Sequence, residues 1–203
     1  TFSGLAAGSY NVKVRLQSDP TCVTTYGSNP VNINAAPSAP TFNSVIVTQP
    51  TCATPTGTIE ISASGSGTLE YSVDNGSSFQ TSTTFSGLAA GSYNVKVRLQ
   101  SNPTCETTYG SNPVTINAAP SAPTFNSVTV NQPTCATPTG TIEISASGSG
   151  TLEYSVNNGS SYQTSSTFPG LTAGSYNVKV RLQSDPTCVT TYGSNPVTIN
   201  TVP

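Results

Sequence analysis

Three features of the chain predict an all-β protein built as tandem antiparallel β-sandwich domains of about 83 residues each. The words TFSGL open at Thr1 and Thr84 and return as TFPGL at Thr167, so one unit recurs with a period of 83 residues; self-similarity at a fixed period marks an array of small units. Within the unit, apolar and polar residues alternate with period two, the pattern of strands with one buried and one wet face. Gly, Pro and Asn-Gly turn signals separate these runs, and no helical period appears.

The period divides the chain into 1–38, which holds only the last two strands of a unit, and two complete units, 39–121 and 122–203. Each complete unit is large enough to bury its own core. A pair of strands is marginal alone in water, so the opening part implies a window on a longer periodic protein.

In 1–38 the pattern predicts a strand Tyr10–Leu16, a long loop holding Cys22 and Tyr26, and a strand Val31–Asn34. Ala35–Pro40, repeated as Ala118–Pro123, is a proline-stiffened junction expected to set neighbouring units end to end. The first complete unit begins with Phe42 and a strand Ser44–Thr48 that points Val45 and Val47 inward. After the loop Gln49–Gly57, the strand Thr58–Ser62 turns Ile59 and Ile61 in and Glu60 out. The turn Ser64–Gly67 leads to Leu69, Tyr71 and Val73, alternating with Glu70 and Ser72. Asn-Gly between two strands then predicts a type I′ hairpin at Asn75 and Gly76, and at Asn158 and Gly159 one unit later. Phe79–Phe85 returns, Gly87, Leu88 and Gly91 mark a corner, and Tyr93–Leu99 closes the core with Lys96 and Arg98 outward. A long loop, Ser101–Asn112, carries Cys105 to the last strand.

Seven or so short strands per unit, separated by turns, specify a two-sheet sandwich of immunoglobulin-like type. Tyr10, Tyr93 and Tyr176 each follow a glycine corner at the start of a late strand. That placement fits a tyrosine corner, whose hydroxyl bonds back to nearby backbone; a purely apolar core role is the other reading.

Composition narrows the functions. Net charge is −2, and all six basic residues, Lys13, Arg15, Lys96, Arg98, Lys179 and Arg181, recur on one strand face, which leaves no basic patch for nucleic acid. No apolar run reaches the length of a membrane span. Histidine is absent, which removes the usual general base and the commonest zinc ligand. No enzyme activity, metal or cofactor is expected. Glu60 and Glu70 are single carboxylates on solvated faces; if strands 69–73 and 93–99 are neighbours, Glu70 shares a face with Lys96 and Arg98, and such pairs contribute roughly 0–1 kcal/mol. Asp74 offers too few oxygens for calcium and gives way to Asn157 in the next unit. Lys96 points outward, unlike the buried lysine an isopeptide bond requires. Asn75-Gly76-Ser77 spells a glycosylation sequon and is read first as a turn.

Thr41–Asn117 and Thr124–Asn200 differ at nine positions, among them Ile46 against Thr129, Phe79 against Tyr162 and Glu106 against Val189. Inward positions of the long strands are untouched, so both units do the same mechanical job and repetition supplies length.

The cysteines fall in two series of the same period, 22, 105, 188 and 52, 135. Repeated thiols in such an array imply an oxidising, extracellular setting and structural disulfides. Within a unit, Cys52 would pair with Cys105 and Cys135 with Cys188. Sandwich topology argues otherwise: Cys52 lies between the first two strands and Cys105 between the last two, at opposite poles roughly 20–25 Å apart, whereas bonded cysteines hold their Cα atoms about 4.4–6.8 Å apart. The far pole of one unit faces the near pole of the next, which favours a clasp between units, Cys52 with Cys188, and leads to the expectation that the partner of Cys105 lies upstream of residue 1. The within-unit pairing stays as the alternative. Tyr26, Tyr109 and Tyr192 are expected to pack across the junction beside the disulfide rather than to form ligand platforms.

The run YSVDNGSSFQTSTTFSGLAAGSYNVKV, preceded by Cys52 and followed by Cys105, resembles the SprB-type repeats of Bacteroidota gliding-motility adhesins and related surface proteins. It differs from them in carrying Val73 and Val156 where Trp is common, and in a longer later cysteine loop. The resemblance implies an extracellular protein of the bacterial cell surface, exported by the type IX system, whose tandem domains form a long adhesive fibre. The expected function is a disulfide-braced stalk that supports adhesion, with gliding implied by the same resemblance; the alternative is a carbohydrate-binding module. Neighbouring repeats of the same chain are the expected partners, with other copies in a filament or cell-surface glycans beyond them.

Overall fold

A computed structural model describes residues 1–203, which form strands and turns without a helix. The opening part contributes β1 (Gly8–Tyr10), β2 (Lys13–Arg15), β3 (Val23–Thr25) and β4 (Val31–Ile33). The first complete unit contributes β5 (Thr41–Thr48), β6 (Gly57–Ser64), β7 (Leu69–Ser72), β8 (Thr84–Leu88), β9 (Gly91–Tyr93), β10 (Lys96–Leu99), β11 (Asn102–Thr108) and β12 (Val114–Ile116). The second repeats the order as β13 (Thr124–Asn131), β14 (Gly140–Ser147), β15 (Leu152–Ser155), β16 (Thr167–Leu171), β17 (Gly174–Tyr176), β18 (Lys179–Leu182), β19 (Val189–Thr191) and β20 (Val197–Ile199).

Each complete unit has two three-stranded sheets, β5-β6-β8 and β7-β10-β11 in the first, and a two-stranded ladder β9-β12, all antiparallel. Alternation decides what they bury. Ile59 and Ile61 of β6 meet Tyr71 of β7, Val97 of β10 and Val114 and Ile116 of β12 in one cluster, and Ile142, Ile144, Val180, Val197 and Ile199 are buried in the second unit. Burying each such side chain contributes about 1.5–3 kcal/mol. Two antiparallel sheets around one apolar core are consistent with a β-sandwich. Approach between the layers is close at Gly57, where an added Cβ would lie 2.7 Å from Ile116 Cγ2.

In the opening part β1 pairs with β4 and β2 with β3, with no facing sheet. Val12, Val14 and Leu16 are 41, 68 and 58 % exposed, while their repeats Val95, Val97 and Leu99 are fully buried. The same strand words therefore bury nothing without the partner sheet.

Several elements differ from the sequence pattern. The expected strand Tyr93–Leu99 is divided: β9 pairs with β12, then β10 pairs with β7 and β11. At the break, Asn94 forms an isolated parallel bridge to Asp74. Phe79–Phe85 is not a returning strand; Gln80 makes one bridge to Tyr71, and at Thr83 the chain crosses to the other sheet, its carbonyl accepting the Ile61 N–H at 2.9 Å. The long loop Ser101–Asn112 is largely a strand, β11, because its Thr-rich alternation finds the free edge of β10. The expected hairpin turn does stand at Asn75 and Gly76, with φ of 62° and 88°, and Asn158 and Gly159 take φ of 60° and 88°. Ser77 N–H donates to Asp74 O at 3.3 Å to close the first of them.

Candidate functional site: the clasp between units

The clasp begins where β5 ends. Thr51 N–H donates to Thr54 O at 2.9 Å, and Thr54 N–H donates to Thr51 Oγ1 at 3.0 Å. This tight turn puts Cys52 at its tip with its own N–H free of the turn. Behind it, Gln49 Nε2 donates to Thr115 O at 3.0 Å and Gln49 Oε1 accepts the Asn117 N–H at 2.8 Å, tying the end of β5 to β12. Thr134–Thr137 builds the same turn one unit later and leaves Cys135 exposed.

The other half is the turn Asp185–Cys188, between β18 and β19. Cys188 N–H donates to Asp185 O at 2.9 Å, while Asp185 Oδ1 accepts Thr187 N–H at 3.0 Å and Thr187 Oγ1–H at 2.6 Å. Leu182 N–H donates to Cys188 O at 3.0 Å. Cys188 is fully buried.

The two halves meet. Cys52 is disulfide-bonded to Cys188 across 136 residues of sequence, with the Cα atoms 5.1 Å apart. Cys52 N–H donates to Asp185 Oδ2 at 2.9 Å, and the same oxygen lies 3.3 Å from Cys188 Sγ. Cys52 Sγ touches Pro120 O at 3.1 Å, so the junction segment lies against the clasp. The Thr187 hydroxyl first, then the Cys52 amide, hold the Asp185 carboxyl below the usual range. The two sulfurs and the carboxylate lie within 4.8 Å of one another, but a disulfide offers no thiolate to a cation, so this is a covalent joint and not a metal cage.

The within-unit pairings Cys52–Cys105 and Cys135–Cys188 do not form. Cys22, Cys105 and Cys135 are free thiols. Cys105 S–H donates to Pro37 O at 3.4 Å, which places it against its upstream junction; one unit later the equivalent carbonyl, Pro120 O, lies against Cys52 Sγ, the sulfur bonded to Cys188.

The other residues singled out by sequence serve the units themselves. Tyr10, Tyr93 and Tyr176 hydroxyls donate to Ala6 O, Ala89 O and Thr172 O at 2.7, 2.8 and 2.8 Å, each four residues upstream. Tyr109 and Tyr192 do not bridge the junction. They pack on Phe42 and Phe125 of their own units at centroid distances of 5.2 and 5.1 Å, because β11 and β19 bring them beside the first strand. Asp74 is engaged by Ser72 Oγ–H at 2.7 Å and Ser78 N–H at 2.9 Å, and Asn157 accepts the equivalent pair at 2.9 and 3.0 Å, so the position builds a turn. Arg98 pairs with Glu70 at 2.8 Å and stacks 3.8 Å over Phe79, as Arg181 does with Glu153 and Tyr162. Lys96 pairs with Glu106 at 2.8 Å.

Both surface cavities lie on the opening part, one lined by Phe2, Leu5, Tyr10 and Val12. They are the open face of strands whose repeats are core. Sequence reasoning missed Asp185, although it is one of the nine positions at which the complete units differ and stands three residues before Cys188. No protein-family model matches the chain, and no curated protein matches it.

Proposed function

We propose that the chain is a stalk segment of a large extracellular bacterial surface adhesin or filament, built of immunoglobulin-like domains and braced by disulfides between them. With each interrupted late strand counted once the unit has six strands, and the sheet orders β5-β6-β8 and β7-β10-β11 correspond to the first-second-fifth and third-sixth-seventh strand layers of that seven-stranded fold with its fourth strand left out. The resemblance to SprB-type repeats supplies the cell-surface setting and export route, and a disulfide suits that oxidising compartment. Gliding belongs to the same proposal through that resemblance alone.

The observation that carries the reading is the Cys52–Cys188 bond between neighbouring units. Tension applied at the two ends of the chain passes through that bond, and the residues between the cysteines lie outside the tensioned path. A stalk gains directly from this, since unfolding of the bypassed strands does not lengthen it.

Single-molecule stretching from the termini tests the proposal. The 136-residue separation predicts that reduction adds roughly 450–490 Å of contour length, at about 3.3–3.6 Å per residue. An equal extension with and without reductant would remove the stalk reading. A glycan array with the same chain separates the carbohydrate-binding alternative, for which firm saccharide binding is the expected mark.

A further inference from the structure

The clasp contains a charged group that neither the bond nor the turn requires. We propose that Asp185 guards the disulfide: its carboxylate disfavours the thiolate that must leave when an outside thiol attacks, and so makes the joint between units resistant to reduction.

Burial sets the direction of attack. Cys188 is fully buried, whereas Cys52 is partly exposed at the tip of its turn. An external thiolate therefore reaches Cys52 Sγ, forms a mixed disulfide with it, and expels Cys188 as a thiolate. A second external thiol, as its thiolate, attacks the external sulfur of that mixed disulfide and releases the Cys52 thiolate; both protein thiolates take up protons, and the two external thiols leave as one disulfide carrying the oxidation. The rate of such exchange falls as the leaving thiol becomes more basic. The leaving sulfur here lies 3.3 Å from Asp185 Oδ2, and like charges at that range raise the energy of the departing thiolate. The hydrogen bonds from Thr187 and Cys52 hold the carboxyl in its charged form.

A natural comparison lies one unit upstream, where the position is Asn102 beside Cys105. Asn102 Oδ1 accepts Thr104 N–H at 3.3 Å and Thr104 Oγ1–H at 2.6 Å, the bonds that Asp185 Oδ1 makes to Thr187. Asn102 opens the strand β11 where Asp185 stands in a turn, yet its amide makes the same two bonds to the threonine without the charge, so Asp185→Asn can keep them. Guarding is then a property of individual units and not of the repeat as such.

The test uses the full oxidised chain with its three free thiols alkylated, and follows reduction of Cys52–Cys188 by glutathione, an anionic thiol, and by cysteamine, whose amine is cationic. Asp185→Asn is expected to speed reduction by glutathione about five- to tenfold, and by cysteamine about two- to threefold less than that, because Asp185 attracts the cysteamine amine while it repels the glutathione carboxylates. Added salt narrows the difference between the two thiols in the wild type. A peptide map of the oxidised variant confirms that the bond has formed. Unchanged reduction in Asp185→Asn overturns the proposal. So does a Cys188 thiol that titrates at the same pH in reduced Asp185→Asn as in the reduced wild type, which would mean that the carboxylate does not act on the departing thiolate and that the substitution only loosens the turn.

Discussion

Asn112 grips Val95 by its backbone: Asn112 Oδ1 accepts the Val95 N–H at 2.8 Å, and Asn112 Nδ2 donates to Val95 O at 2.9 Å. The side-chain amide stands where a neighbouring strand's peptide would stand, at the point where β9 gives way to β10 and the second late strand breaks between β11 and β12. Tyr109 N–H also donates to Val95 O, at 3.0 Å, so only the Val95 N–H depends wholly on Asn112. Val95 is fully buried. Asn112→Ala orphans that donor and is expected to destabilise the first unit by about 1–3 kcal/mol. Asn112→Asp keeps the acceptor but sets a carboxylate against Val95 O, so it should be more harmful at neutral pH than where the acid is protonated. Urea unfolding of the chain, with Asn195 intact in the second unit, measures both.

The two ion pairs on the outer sheet differ in what they add. Arg98 is paired with Glu70 and stacked on Phe79, and Glu70 keeps only 16 % side-chain exposure. Arg98→Ala is expected to cost about 1–2 kcal/mol in thermal unfolding. Glu106, the partner of Lys96, keeps 35 % side-chain exposure, and the second unit places Val189 where Glu106 stands. Glu106→Val should therefore change stability by no more than about 0.5 kcal/mol.

Acid should weaken the first turn more than its repeat. Hydrogen bonds from Ser78, and less from Ser72, lower the Asp74 pKa from 3.8 to about 2. A carboxyl depressed on folding stabilises above its unfolded pKa, and that contribution is lost as pH falls from about 4 towards 2. Asp74 is exposed, so screening limits the effect to at most about 1 kcal/mol. Asp74→Asn, which copies Asn157, should be less sensitive than wild type when unfolding midpoints are compared between pH 5 and 2.

Layer spacing at Gly57 is a separate test. A Cβ there meets Ile116 Cγ2 and Cδ1 at 2.7 and 2.8 Å and Thr48 O at 3.0 Å. Gly57→Ala should cost about 1–3 kcal/mol by forcing the sheets apart. Pairing it with Ile116→Val, read by a double-mutant cycle, should recover part of the loss.

What the sequence determined by itself is local. Period-two alternation says which face of Thr58–Ser62 is buried, and Asn75-Gly76 specifies its turn, because both depend on the chain's own stereochemistry; in Leu69–Val73 it fails at Ser72, set on the wet face by the pattern but fully buried, its hydroxyl tied to Asp74 and to the Gly76 N–H. The 83-residue period likewise laid out the units and the two cysteine series. Alternation is silent on which sheet a strand joins. So the division of Tyr93–Leu99 between two ladders, the crossing at Thr83 and the strand hidden in Ser101–Asn112 emerged only in three dimensions. The amides that stand in for backbone act from 17 residues away at Asn112 and 68 at Gln49, and Asp185 reaches the Cys52 amide across 133. Contacts of that range are fixed by how sheets pack and units abut, and neither leaves a periodic trace in the chain.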